Sequence, residues 1–310
     1  MSEAPAISVS GITKCFGGRT VVDHVSMDIG QGRISGFLGP NGSGKTTTLR
    51  MICGLLIPDE GEGTVLGLDL ATCRAEIKQK VGYMTQRFGL FEDLTIRENL
   101  NFFADAHGLS DKKRRVTAAL EQLGLATRSH QLAGTLSGGW KQRLALAACT
   151  LHEPRILLLD EPTAGVDPLA RREFWDEIHR LAGEGVTVLV STHYMDEAER
   201  CHDIAYIAYG VLRARGTAQE IIRDSGLVAL TGEGPGADRL APKLEKRPGV
   251  AMAAAFGTTV HVCGEEMGAL REAVNEIAPE IRWHETEPTL EDIFIHLMRQ
   301  SPDNSVEVAA

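Results

Sequence analysis

One stretch, GPNGSGKTT from Gly39 to Thr47, limits what this chain can fold into more than any other. A short apolar run, Ile34 to Leu38, precedes it, broken only by Ser35 and Gly36, and a helical pattern, Thr46 to Leu56, follows. Gly39, Gly44, Lys45 and Thr46 fit G-x-x-x-x-G-K-[ST] in the strand–loop–helix setting that this phosphate-binding pattern requires. Glycines let the backbone curl until successive N–H groups point inward and form an anion nest. The helix that starts there adds the positive end of its dipole. Lys45 is expected to supply a point charge to the β- and γ-phosphates, and Thr46 a hydroxyl to Mg²⁺. Pro40, Asn41, Gly42, Ser43 and Thr47 complete the expected nucleotide cradle. A glycine-rich turn with a chance lysine is the rival account, and the flanking strand and helix speak against it.

The 310 residues are enough for two domains of ordinary size. With 43% hydrophobic and 24% charged residues, a well-packed core is expected. The formal net charge of -10 argues against a nucleic-acid scaffold, whose footprint is a basic face. Six scattered cysteines form no C-x-x-C pair and read as small buried residues of a reducing compartment. The first residues lack a charged segment followed by an apolar run, so no secretory signal is expected. No apolar run reaches the roughly 18 residues of a membrane span, so work at a membrane would need a second chain.

Apolar–polar alternation marks strands at Ile7–Thr13 and Val21–Ile29, with a turn at Phe16-Gly17-Gly18. PDEGEG, Pro58 to Gly63, reads as a turn ahead of a strand at Thr64–Leu66. A short helix is expected at Glu76–Lys80 and a strand at Val81–Met84, which runs into Gln86. From Leu94 the period becomes helical. Thr95-x-x-Glu98 is a capping box for a helix over Ile96–Ala106, a second helix covers Lys112–Leu123, and LSGGW at Leu136–Trp140 opens a third. Residues 87–152 therefore read as a helical subdomain. Strands return at Ile156–Leu159 and Val186–Val190, separated by an amphipathic helix over Arg171–Leu181, and a hairpin is centred on Gly210. A compositional break near Gly226 places a boundary between 1–226 and an accessory domain, 227–310. That domain ends in a helix, Leu290–Met298, capped by Thr289 and Asp292, and a disordered tail, Ser301–Ala310.

Asp160 ends an apolar strand in ILLLDEP, where an acid holds Mg²⁺ through water in P-loop enzymes. Glu161 beside it can accept a proton from an attacking water or orient it. Ser137, Gly138 and Gly139 open a helix with small residues, which makes a second phosphate cradle. One nucleotide does not obviously need two cradles in one chain. Two facing copies, each lending its second cradle to the other, account for the duplication.

Taken in order, these motifs resemble the nucleotide-binding subunit of an ATP-binding cassette (ABC) transporter over about residues 7–225. The order is Phe16, the P-loop (Gly39–Thr47), Gln86, the signature (Leu136–Gly139), Ile156–Asp160, Glu161, Asp167 and His193. The resemblance implies a RecA-like α/β P-loop ATPase core with an antiparallel β edge, a helical subdomain and a small α/β C-terminal domain. It also implies roles. Phe16 would stack on adenine, although a turn residue covering the core is an equal reading. Gln86 would reach Mg²⁺ and the attacking water and relay nucleotide state. His193 would contact the γ-phosphate and hold the water geometry, and Asp167 would lie across the dimer interface.

One position departs from the family pattern, because Trp140 stands where the signature usually carries Gln. Indole donates a hydrogen bond but accepts none. This Trp either packs near the membrane-subunit interface or anchors its helix. LSGGWKQR, and EPTLEDIFIHLMR at Glu287–Arg299, resemble drug-resistance-type cassettes that serve ABC-2-type permeases. The implied function is hydrolysis of ATP, with Mg²⁺, to drive a separate ABC-2-type membrane permease at the cytoplasmic face of the membrane. Export of drugs, lipids or polysaccharides is the implied transport, with a second cassette, identical or homologous, as partner. The main rival is a soluble ABC ATPase acting in DNA repair or translation. Such proteins carry long coiled coils, zinc sites or paired cassettes, none of which the sequence suggests.

Overall fold

The computed structural model of the protein describes residues 4–87 and 89–300. The expected tail, 301–310, lies outside the described residues. Contacts divide the chain into two compact units that meet between Arg213 and Ala214.

The first unit opens with β1 (Ile7–Phe16), β2 (Arg19–Ile29), β3 (Ile34–Leu38), α1 (Lys45–Ile52), β4 (Glu60–Val65), β5 (Leu68–Asp69), α2 (Arg74–Lys80) and β6 (Val81–Met84). It continues through α3 (Ile96–Ala106), α4 (Lys112–Gln122), α5 (Gly138–Thr150), β7 (Ile156–Asp160), α6 (Pro168–Gly183), β8 (Thr187–Thr192), α7 (Met195–Ala198), β9 (Asp203–Ala208) and β10 (Val211–Gly216).

A six-stranded sheet runs β10-β9-β3-β8-β7-β6, with β9, β3, β8, β7 and β6 paired in parallel. Its central strands are buried along their whole length, which explains their continuous apolar sequence. Alternation along β7 then sorts the two faces. Ile156 and Leu158 join the cluster under α1 and the antiparallel sheet, whereas Leu157 and Leu159 meet Phe174, Trp175 and Ile178 of α6. The second sheet, β2-β1-β4-β5, is antiparallel, as expected for the β edge. Helices α3, α4 and α5 close over a core of their own, including Ile96, Leu100, Val116, Leu120, Leu144 and Ala147. The capping box of α3 forms as its sequence predicts: Glu98 N–H donates to Thr95 Oγ1 at 3.2 Å, and Thr95 N–H donates to Glu98 Oε2 at 2.8 Å.

Several boundaries differ from the sequence reading. Helix α1 ends at Ile52, not Leu56, because the N–H groups of Leu55 and Leu56 turn back to the Arg50 carbonyl. Glu60–Gly63 is strand and not turn, since pairing with β1 gives its backbone partners that outweigh its poor β-propensity. Thr231–Glu233, at the start of a glycine-rich polar stretch, is likewise strand, held on both sides by antiparallel neighbours.

The second unit contains α8 (Ala218–Asp224), β11 (Val228–Glu233), α9 (Ala241–Leu244), β12 (Met252–Phe256), β13 (Thr259–Gly264), α10 (Met267–Ile277), β14 (Arg282–Thr286) and α11 (Leu290–Arg299). Its antiparallel sheet runs β12-β13-β11-β14. Helix α8 contacts α11, so residues ahead of Gly226 pack with this unit. Ile293 and Phe294 of α11 are buried.

A stacked histidine pair makes the first unit sensitive to acid. His107 and His152 lie face to face with centroids 3.9 Å apart. Burial, together with the neighbouring His107, pushes the His152 imidazole down to about 4. Because this folded value lies below that of the unfolded chain, the neutral ring's contribution is complete above about pH 6.5 and is lost as the pH falls toward 4. The stability difference between wild type and His152→Asn is therefore expected to shrink by about 2 kcal/mol over that range. Urea unfolding of both proteins at pH 7, 5.5 and 4.5 measures it, and a difference that does not change with pH would refute the assignment.

Candidate functional site

The carboxyl ends of the parallel strands bring the expected site residues together, as open α/β sheets do. The loop after β3 carries Gly39–Gly44, and α1 begins at Lys45. A side chain at position 39 would sit 2.1 Å from the Ile207 carbonyl oxygen, so only glycine fits. Gly44 caps α1 with φ +99° and no side-chain hydrogen bond, which leaves the first N–H groups of the helix free to meet an anion. Pro40 accepts from Ser43 N–H at 3.3 Å, which closes the loop, and Asn41 and Gly42 lie exposed at its tip. The Ser43 hydroxyl is buried without a partner, and Thr47 is half-buried in the first turn.

Lys45 is 4% exposed, and burial lowers its pKa. Its ammonium donates to the carbonyls of Gly39 at 2.8 Å and Pro40 at 3.0 Å, and lies 3.2 Å from Glu161 Oε1. Phosphate oxygens are stronger acceptors than the two carbonyls.

Glu161 sits just beyond β7, 8% exposed, with φ +46°. A non-glycine residue rarely adopts that conformation unless its surroundings hold it there. Here its N–H donates to Ser191 Oγ at 3.0 Å and to the Ser191 carbonyl at 3.1 Å. Three side chains bracket its carboxylate. Lys45 meets Oε1, Gln86 Nε2 donates to Oε2 at 3.0 Å, and His193 Nδ1 lies 3.2 Å from Oε2, outside hydrogen-bond alignment.

Asp160, 2% exposed, accepts from Ser191 Oγ at 2.7 Å and Thr46 Oγ1 at 3.1 Å on one oxygen. Tyr83 OH approaches the other at 3.4 Å, and burial followed by the Asp160 charge pushes that phenol up to about 12. This all-oxygen grouping suits a hard divalent cation such as Mg²⁺.

Ser137, Gly138 and Gly139 lie elsewhere in the unit, at the start of α5, where the Ser137 side chain caps nothing. Ser137 and Gly138 are exposed. A side chain at 139 would lie 2.5 Å from the Ala170 methyl, so α5 rests directly on the first turn of α6. Asp167 caps α6 by accepting from Ala170 N–H at 3.0 Å. Trp140 lies between the guanidiniums of Arg128 at 4.6 Å and Arg143 at 5.0 Å and packs on the core of the helical subdomain. Phe16 ends β1 with 49% exposure and Lys14 5.7 Å from its ring centre, so it does not cover the core.

Two residues that the sequence reading passed over hold this arrangement. Ser191 joins the Asp160 carboxylate to the Glu161 backbone, and its only sequence signal is its place at the end of VTVLVST. Glu197 is fully buried, accepts from Thr192 Oγ1 at 2.7 Å and also from Thr163 Oγ1, and so ties the segments after β7 and β8 together. Nothing in its sequence context marks it.

A family model described as ABC transporter matches residues 22–164. The chain is 46% identical over 217 residues to the probable multidrug ABC transporter ATP-binding protein YbhF of Escherichia coli (strain K12), which takes in 69% of this chain and 38% of that one. Thus the chain spans well under half the length of that relative. It is 33% identical over 296 residues to the Nod factor export ATP-binding protein I of Rhizobium sp. (strain N33), covering 94% of this chain and 96% of the other. A solved ATP-binding subunit of an ABC transporter matches with a TM-score of 0.65 and 30% identity, over 71% of this chain and 93% of that one.

Ser191→Ala is expected to lower ATP turnover about tenfold while leaving nucleotide affinity within about twofold, since the hydroxyl supports two carboxyl-end residues but lines no phosphate. Steady-state ATPase assays beside calorimetric ATP binding separate the two effects. Turnover equal to wild type would remove Ser191 from a positioning role.

Proposed function

Since the chain belongs to the ABC transporter family as its ATP-binding subunit, we propose that it hydrolyses ATP between two facing cassettes to power export through a separate membrane permease. The observation that carries this reading is the Glu161 carboxylate, held by Lys45 and Gln86 with His193 alongside, one residue beyond Asp160. The phosphates of ATP occupy the Gly39–Thr47 loop, where Lys45 exchanges its carbonyl partners for β- and γ-phosphate oxygens. Thr46, Gln86 and Asp160 would hold Mg²⁺. The cation supplies charge neutralisation to the phosphates. Glu161 takes the proton of the water that attacks the γ-phosphorus, and the bond to the β-phosphate oxygen breaks, leaving ADP and inorganic phosphate. Gln86 and His193 fix the Glu161 carboxylate, and His193 also meets the γ-phosphate. Phe16 lends its exposed ring to the adenine.

The exposed start of α5 supports a shared site. Ser137, Gly138 and Gly139 of one copy complete the phosphate cradle of the other, and Asp167 lies in the same interface. Because ATP binds the closed pair more tightly than the open pair, binding closes the dimer and hydrolysis releases it. Among the described residues no helix is long and apolar enough to cross a membrane. The permease is of the ABC-2 type, and the cassette works at the cytoplasmic face of the membrane. The relatives named above are multidrug and export ATP-binding proteins, which favours export over a role on DNA or ribosomes.

Glu161→Gln is expected to retain MgATP binding, to lose at least about a hundredfold in hydrolysis, and to accumulate a closed dimer on size-exclusion chromatography in ATP. Wild-type turnover in this variant would end the assignment. Lys45→Ala should lose nucleotide affinity by calorimetry.

A mixing experiment tests the shared site. Ser137→Arg and Lys45→Ala homodimers should each be nearly inactive. Their heterodimer keeps one intact site and should regain part of the activity. No recovery, with heterodimers confirmed by tag pull-down, would contradict a composite site.

A further inference from the structure

Three ligand-type side chains converge inside the second unit, away from every nucleotide motif. His261 and Cys263 stand two residues apart on β13, so they share one face of its sheet. Asp292 lies in the first turn of α11. His261 Nε2 is 2.9 Å from Asp292 Oδ2 and 3.3 Å from Cys263 Sγ, and the three ligand atoms all lie within 4.8 Å of one another. All three residues are buried, with 8%, 1% and 2% exposure. A thiol and a carboxylate thus face the same ring nitrogen, which can share only one proton between them.

The surroundings orient this trio. His261 Nδ1 lies 3.1 Å from Thr231 Oγ1, which in turn lies 3.1 Å from Thr286 Oγ1. That chain of hydroxyls can take the imidazole proton on Nδ1 and leave Nε2 free as a ligand. Asp292 Oδ2 accepts from Thr289 N–H at 2.7 Å and Thr289 Oγ1 at 2.8 Å, which fixes the carboxylate. Ala229, Met252 and Ile295 pack around Cys263. The Phe256 ring, 55% exposed, meets His261 edge-on at 6.1 Å, so the cluster lies one aromatic ring from solvent.

We propose that His261, Cys263 and Asp292 form a Zn²⁺ site that staples α11 to β13. The mixed nitrogen, sulfur and oxygen donors suit a borderline ion in tetrahedral geometry and not Mg²⁺ or Ca²⁺. On binding, Cys263 releases its thiol proton to solvent, His261 carries its proton on Nδ1 toward Thr231, and water fills the fourth position. The role is structural: the ion binds the folded unit and not the unfolded chain, so it raises the unit's stability.

The test uses the full chain, stripped with a chelator and free of nucleotide. Titration with Co²⁺ should give one equivalent with a thiolate-to-cobalt band in the near ultraviolet and strong tetrahedral d–d bands, both removed by Zn²⁺. Cys263→Ser should abolish the thiolate band, and Thr231→Ala should weaken binding about tenfold. Zn²⁺ should raise the melting temperature of the wild type by about 4 °C or more and leave Cys263→Ser unchanged. Because that variant can fail to fold, zinc-edge X-ray absorption on the wild type provides a reading without substitution: one sulfur neighbour is expected. A shell of nitrogen and oxygen alone, a thiolate band that survives Cys263→Ser in a folded protein, or no binding at all would overturn the site. The last result would leave the trio as a buried His–Asp pair that reinforces the cap of α11.

Discussion

Two adjacent carboxylates, both almost fully buried, stand at the carboxyl end of β7, beside the edge strand of the parallel sheet, and much of the surrounding structure serves to keep them there. A buried charge without partners is costly, so the fold has to supply donors. For Asp160 they come from Thr46 and Ser191, and for Glu161 from Lys45 and Gln86, while the Glu161 N–H itself donates to Ser191. These donors arrive from the carboxyl ends of β6 and β8 and from α1, which follows β3. The strand order therefore fixes the electrostatics. The positive φ of Glu161 has the same origin, since a relaxed backbone would not keep this residue's N–H on Ser191.

The same arrangement makes one residue answerable to several segments. Ser191 touches both carboxyl-end residues, and Glu197 holds Thr163 and Thr192 across the segments after β7 and β8. A change in what Glu161 holds reaches the end of β8 through direct hydrogen bonds. The buried Lys45–Glu161 contact also joins the nest to the acid.

Much of this was legible in the sequence because its signals are local. The nest residues, the apolar run of β7 and the capping boxes at Thr95 and Thr289 each specify their conformation within a few residues. The box at Thr217 and Glu220 carries the same signal and was not read, although it opens α8 as the rule requires. What stayed hidden depends on distant pairing. Glu60–Gly63 and Thr231–Glu233 have turn-like composition and become strand only because neighbours offer a ladder. Ser191 and Glu197 gain their importance from residues that lie far off in the chain. The Trp140 position was legible as a departure from the signature pattern, but its two arginine neighbours were not.

The contact between Gly139 and Ala170 carries a consequence for how such chains can vary. The starts of α5 and α6 share a single clearance, about one methyl group wide, and the methyl is already spent on position 170. Neither position is free on its own: a side chain at 139 beside the methyl at 170 would force the starts of the two helices apart. The two positions are therefore one steric unit, a lock with one wafer divided between two bolts.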